Sequence, residues 1–332
     1  MSELSKIEEA AELIHRTLRP TAQYCWPLIC ERAGTEVWVK HENHTPIGAF
    51  KVRGGLVYMD DLKRARPGVR GVIAATRGNH GQSVAFAARA HGVAAVIVVP
   101  HGNSVEKNRA MRAFGAELVE HGRDFTAALD YAVELAEERG LHMFPSYHAL
   151  LARGVASYSL EFLRAVPDLD TLYVPIGLGS GICGAIAVRD ALGLGTKVVG
   201  VVAERAATYA LSFEAGRPVP TDSADTMADG LAVRVPDPAA LDIILERAER
   251  VVAVSEDEIK AAMRAFFTDT HNVAEGAGAA QLAALLKEKD RMAGRKVGLV
   301  LSGGNVDRAV YRAILAEAQG PGLTSRRSRA TG

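Results

Sequence analysis

The chain has 332 residues, 48% of them hydrophobic, which is enough to bury one large core or two lobes and too much for a disordered or fibrous protein. Lysine plus arginine and aspartate plus glutamate both number 39, so no charge excess points to nucleic acid or to an anionic membrane surface, and a small-molecule partner is expected. The three cysteines, Cys25, Cys30 and Cys183, match neither a disulfide framework nor a zinc site; a reducing cytoplasm suits them.

In chain order, Ile7, Ala10, Ala11, Ile14 and Leu18 come first, at helical spacing in a segment with acidic residues, unlike the apolar core of a signal peptide. No apolar run reaches the roughly 18 residues that cross a bilayer, so a soluble protein is expected. Short apolar runs then recur: VWVK near residue 38, VIAAT at 72–76, AAVIVVP at 94–100, TLYVPI at 171–176, VVGVVA at 198–203, VVAVS at 251–255 and VGLVLS at 297–302. Each reads as a buried strand, and the stretches between them read as helices. Alternation of this kind predicts α/β architecture, because parallel strands need crossover helices and bury both sheet faces.

Ligands of open α/β sheets sit at the carboxyl ends of the strands. The turns AATRGNHGQ, VPIGLGSGICG and LVLSGGN lie at such ends, and all three are expected to face one cleft. Four segments carry chemistry. In His44–Gly55 a lysine, Lys51, follows a glycine-containing turn and the aromatic Phe50, then opens a helical run; alone, such a lysine is usually a solvated charge. Thr76-Arg77-Gly78-Asn79-His80 leads from a strand into a helix, whose first N–H groups form a natural anion site. Gly177-Leu178-Gly179-Ser180-Gly181 does the same, with small residues that let backbone approach a phosphate. Leu301-Ser302-Gly303-Gly304-Asn305 places a hydroxyl at the mouth of the last strand.

Together and in this order, from about Thr21 to the last helix, these motifs resemble the fold-type II pyridoxal-phosphate enzymes, in the serine/threonine dehydratase and serine racemase branch. The resemblance implies two lobes, each an open, mostly parallel sheet flanked by helices. Residues 1–53 and 149–319 would form the large cofactor lobe and 54–148 a small mobile lobe, with 320–332 a flexible tail. It implies that Lys51 holds pyridoxal 5'-phosphate as a Schiff base, although Ala49 stands where the family motif has serine. Phe50 borders the cofactor, Asn79 bonds its ring oxygen, and Thr76, Arg77, Gly78, Asn79 and His80 form the loop that receives the substrate carboxylate. Gly177, Leu178, Gly179, Ser180 and Gly181 would hold the phosphate, with Leu178 and Ser180 departing from the family's tetraglycine loop. Ser302 would face the ring nitrogen, and a neutral hydroxyl there weakens the electron sink and favours β-elimination.

The expected reaction is therefore dehydration of serine, threonine, a hydroxyaspartate or an aryl-serine to a 2-oxo acid and ammonia, by a homodimer. Racemisation is less favoured, because Arg77 stands where racemases of the branch have a serine; that arginine either pairs with a second substrate carboxylate or faces solvent or a surface acid. No metal is expected: Glu204 matches one ligand of the relatives, but residue 210 is alanine. His41 and His44 lack a third ligand and read as polar loop residues. With the sequence ending soon after the serine motif, the C-terminal regulatory domain of biosynthetic threonine dehydratases is not expected. Two rivals remain. Gly179–Gly184 satisfies G-x-G-x-x-G, with Glu204 on the next strand, as in a dinucleotide enzyme. A catalytically dead binding protein on the same scaffold is the other.

Overall fold

The computed structural model describes residues 3–317, so the tail expected to be flexible lies outside the described residues. The strands are β1 (Gln23–Cys25), β2 (Glu36–His41), β3 (Gly71–Ala75), β4 (Ala94–Val99), β5 (Glu117–Glu120), β6 (His142–Met143), β7 (Thr171–Pro175), β8 (Lys197–Ala203), β9 (Arg250–Val254) and β10 (Lys296–Leu301). The first helices are α1 (Glu3–His15), α2 (Pro27–Ala33), α3 (Lys51–Ala65), α4 (Asn79–Ala90), α5 (Val105–Ala113), α6 (Phe125–Arg139) and α7 (Ala149–Ala165). After them come α8 (Ser180–Ala191), α9 (Thr208–Ala215), α10 (Pro238–Arg247), α11 (Glu256–Thr270), α12 (Gly276–Lys287) and α13 (Arg308–Ala316).

The strands divide between a six-stranded sheet, ordered β1-β2-β10-β7-β8-β9, and a four-stranded sheet, ordered β5-β4-β3-β6. Every pairing is parallel except that of β1 with β2, so the expected α/β architecture is what forms. The period of two along each strand sends alternate side chains to opposite faces. In the larger sheet, Tyr173, Val199, Val201 and Leu299 pack with residues of α11 and α12, while Leu172, Val174, Val198 and Val202 pack with α7 and α8. In the smaller sheet, Val72, Ala74 and Ile97 face α3 and α4, whereas Ile73, Ala75 and Val96 face α6. Both sheets are thus covered on both faces, as continuous apolar runs require.

Helices α3 and α7 approach so closely that no side chain fits at their crossing. A Cβ on Gly54 would lie 2.7 Å from the Leu151 carbonyl oxygen, and one on Gly154 would lie 2.6 Å from that of Arg53. Beside the crossing, the fully buried Arg53 donates from Nε to Glu42 (2.7 Å) and from Nη2 to both Glu42 (3.0 Å) and Glu161 (2.9 Å). Lys40 adds a 2.6 Å bond to Glu161. Buried charges survive only when paired in this way, and the result fixes the first turn of α3. Among the described residues no helix is long and apolar enough to cross a membrane.

Candidate active site

The turn before α3 is laid directly on the loop after β10. Phe50 N–H donates to the Ser302 carbonyl at 3.0 Å, and Gly304 N–H donates to that of Gly48 at 2.9 Å. Within the turn, Thr45 Oγ1 donates to the Ala49 carbonyl and accepts from its N–H. Gly48 has φ +67°, and a Cβ there would lie 2.8 Å from Asn305 Oδ1, so both backbone and space demand glycine. Lys51 therefore starts its helix at the mouth of the six-stranded sheet. It stays partly accessible, with Nζ 5.0 Å from the centre of the Phe50 ring. Burial pushes its pKa below the usual lysine range, against the pull of Glu275. A desolvated amine of lowered pKa is suited to act as a nucleophile and base.

The second loop follows β3. Thr76 is buried, and its Oγ1 accepts from Gly78 N–H at 3.1 Å. Gly78 precedes α4 with no side-chain cap among the described residues, which leaves the first N–H groups of the helix for an anion, and Asn79 is the first helical residue. Asn79 Nδ2 donates to Glu275 Oε1 at 2.7 Å, and Asn79 Oδ1 accepts from Asn305 Nδ2 at 2.8 Å. The Nε2 of His80 is buried without a hydrogen-bond partner among the described residues, and burial, reinforced by Lys51, lowers its pKa to about 3. Arg77 is exposed, 3.8 Å from Asp229 Oδ1, so the reading that it leans toward a surface acid describes its position.

The third loop follows β7. A Cβ on Gly177 would come within 2.4 Å of the Gly230 carbonyl oxygen. Gly179 has φ +101° and precedes α8 with no capping side chain, while Ser180 begins the helix. The Leu178 carbonyl accepts from Tyr209 OH at 3.1 Å and the Gly181 carbonyl from Tyr158 OH at 3.3 Å, which ties this turn down from behind. The Tyr158 ring in turn packs edge-on to Phe50, 6.0 Å between centres. Ser302 is buried, and its hydroxyl has no hydrogen-bond partner among the described residues.

Polar contacts join the two sheets' units around the rim. Lys107 Nζ bonds Asp229 Oδ2 at 2.8 Å, Glu106 Oε1 accepts from Arg308 N–H at 3.1 Å, and Ser104 Oγ donates to Asp307. Burial opposes the Lys107 charge, but Asp229, Glu275 and Asp307 outweigh it and raise the pKa.

Reading the sequence alone misses Glu275, Asn305, Lys107 and Asp229. The signal for Glu275 is one carboxylate in the otherwise small and apolar run Ala274–Ala280, just before α12. His41 corrects the loop reading made from its spacing. It ends β2 fully buried, accepts from Trp26 Nε1 at 2.9 Å, and has its pKa lowered by burial to about 4; only His44 is exposed. Glu204, required by the dinucleotide reading, is bonded instead by Lys287 Nζ at 3.2 Å.

The family described as pyridoxal-phosphate dependent enzyme matches residues 16–303. An L-threonine ammonia-lyase of Thermotoga maritima is 33% identical over 313 residues, 92% of this chain and 76% of that protein. The processed form of threonine deaminase isoform 2 from Solanum lycopersicum superposes with a TM-score of 0.88 at 28% identity, covering 95% of this chain and 93% of that one. Maize serine racemase does so at 0.87 and 27%, covering 93% and 95%.

The residues described above fit this cofactor. Lys51 offers a desolvated amine to an aldehyde, the uncapped starts of α4 and α8 offer N–H groups to anions, and buried Ser302 has a hydroxyl with no hydrogen-bond partner among the described residues. On this match of sequence, fold and side-chain chemistry, the chain belongs to the pyridoxal-phosphate-dependent enzyme family, with pyridoxal 5'-phosphate as its cofactor.

Proposed function

We propose that this protein is a pyridoxal-phosphate-dependent ammonia-lyase that removes water and then ammonia from a β-hydroxy amino acid, threonine first, with serine, hydroxyaspartate and aryl-serine as further members of the class. The observation that carries the reading is the desolvated Lys51 amine, at the start of a helix whose preceding turn is bonded to the Ser302 loop. The threonine ammonia-lyase and threonine deaminase among its relatives favour threonine.

When bound, the cofactor supplies an electron-withdrawing ring that acidifies the substrate's α-carbon. Lys51 Nζ would hold the cofactor and, when free, would take the substrate's α-proton, and burial, by lowering its pKa, favours the unprotonated form. Thr76, Arg77, Gly78, Asn79 and His80 form the loop for the substrate carboxylate, with the α4 amides as donors. His80 stays neutral there and adds no charge beside Lys51. Phe50, Asn79 and the backbone of Gly177, Leu178, Gly179, Ser180 and Gly181 hold the cofactor. Ser302 is uncharged, so it cannot keep the ring nitrogen protonated as a carboxylate would. Elimination, in which the leaving hydroxyl removes the electrons, is favoured over chemistry that needs a long-lived negative charge.

We place the small lobe at residues 54–148, since all four strands of the smaller sheet fall within those bounds. A homodimer is proposed on the exposed apolar side chains of Tyr24 on the edge strand β1, Leu28 on α2 and Phe267 on α11, helices α2 and α11 being packed together. The free thiols of Cys25, Cys30 and Cys183 suit a cytoplasmic location.

The test is a panel of β-hydroxy amino acids, read by ammonia and 2-oxo acid release alongside chiral analysis of residual substrate. Release from threonine is expected; inversion without release would establish a racemase instead, and neither would leave a binding protein.

A further inference from the structure

Asn79 is held from both ends, and the chemistry of its holders dictates which way its amide faces. Asn305 Nδ2 donates to the Ile47 carbonyl at 2.7 Å as well as to Asn79 Oδ1 at 2.8 Å. A backbone carbonyl can only accept, so the Asn305 NH2 must face Ile47, and both of its hydrogens are then used. Asn79 must therefore present oxygen to Asn305 and nitrogen to Glu275, where the second bond is 2.7 Å. Turning the Asn79 amide over would set NH2 against NH2 at one end and oxygen against carboxylate oxygen at the other. Space adds to the constraint: Asn305 fills the place a side chain on Gly48 would take, and Glu275 Oε1 lies 2.6 Å from where a Cβ on Gly303 would be.

We propose that Glu275 and Asn305 are positioning residues that lock the Asn79 carboxamide in one orientation, leaving a single Nδ2 hydrogen for an oxygen substituent on the cofactor ring. The proposal rests on the reading that Asn79 contacts the cofactor. Neither residue need touch the cofactor for this role. Their contributions pass through Asn79, so removing either one and removing Asn79 should cost much the same thing, once.

The experiment measures cofactor affinity by titrating apoprotein with pyridoxal 5'-phosphate, together with the absorption band of the bound chromophore and its pH profile, and the melting temperature of each variant. Asn79→Ala is expected to weaken binding and shift the band. Glu275→Ala and Asn305→Ala are each expected to weaken binding roughly three- to tenfold, the loss of one hydrogen bond, and to shift the band the same way. In an Asn79→Ala background both effects should nearly vanish, because coupled residues do not add. Glu275→Gln keeps an oxygen acceptor and should restore the band and most of the affinity, which a purely structural loss would not do; it also serves if the alanine variant fails to fold. Normal affinity and band in Glu275→Ala and Asn305→Ala, or full additivity with Asn79→Ala, would overturn the lock while leaving the Asn79 contact standing. An Asn79→Ala protein with unchanged affinity and band would remove that contact and the lock together.

Discussion

Arg53 Nη1 and Glu161 Oε1 stand 108 residues apart in the chain and 2.7 Å apart in space. With Glu42 and Lys40 they fix the turn of helix that Lys51 opens. Arg53→Met leaves two buried carboxylates without their guanidinium, and a loss of about 3–5 kcal/mol is expected from breaking such a pair. Chemical denaturation of the cofactor-loaded protein checks this; an unchanged midpoint would show that Glu42 and Glu161 find other partners.

Lys51→Ala should abolish ammonia release while the melting temperature of the apoprotein stays near that of the parent. Borohydride treatment of the parent should fix the cofactor on the peptide containing Lys51, visible by mass spectrometry. Near-normal turnover in the variant would defeat the assignment of the amine.

Acid should weaken the fold in two overlapping steps. His41 and His80 are neutral in the fold, with pKa values near 4 and 3 against an ordinary 6.5. The unfolded chain therefore binds more protons than the native one below about pH 6.5, and stability falls as pH drops from there toward 3. Burial works against the Glu161 charge, but Arg53 and Lys40 prevail and hold its pKa at about 2 against 4.5. Its contribution is complete above 4.5 and lost between 4.5 and 2. Denaturation midpoints from pH 8 to 3 should decline below 6.5, and a flat profile to pH 4 would contradict the histidine assignment.

Gly177→Ala should lower cofactor affinity by tenfold or more, because its Cβ would meet the Gly230 carbonyl oxygen at 2.4 Å and push the turn out of place. A titration giving parental affinity would show that the turn yields without harm.

The seven apolar runs read as strands all became strands, since a buried parallel strand needs continuous hydrophobicity and has no other use for it. The three remaining strands escaped notice for visible reasons. β6 has two residues, β5 is the half-polar ELVE, and β1, QYC, is an edge strand whose Tyr24 and Cys25 are exposed. The site followed the same logic. Lys51 and Asn79 open helices and Ser302 follows β10 in motifs that are written locally, whereas Glu275 meets Asn79 across 196 residues of chain and Lys107 meets Asp229 across 122. No periodicity or motif encodes such encounters. Asn305 lay inside the motif read from the sequence, but its role depends on Ile47, 258 residues earlier.

Asn79 rides on the unit of the smaller sheet, whereas the two groups that hold it belong to the larger one, as do Asp229, Asp307 and Arg308 on the rim. Any parting of the halves would therefore also disturb the Asn79 amide. On the proposed contact of Asn79 with the cofactor, variants selected for a faster, looser entrance should shed the prosthetic group more readily.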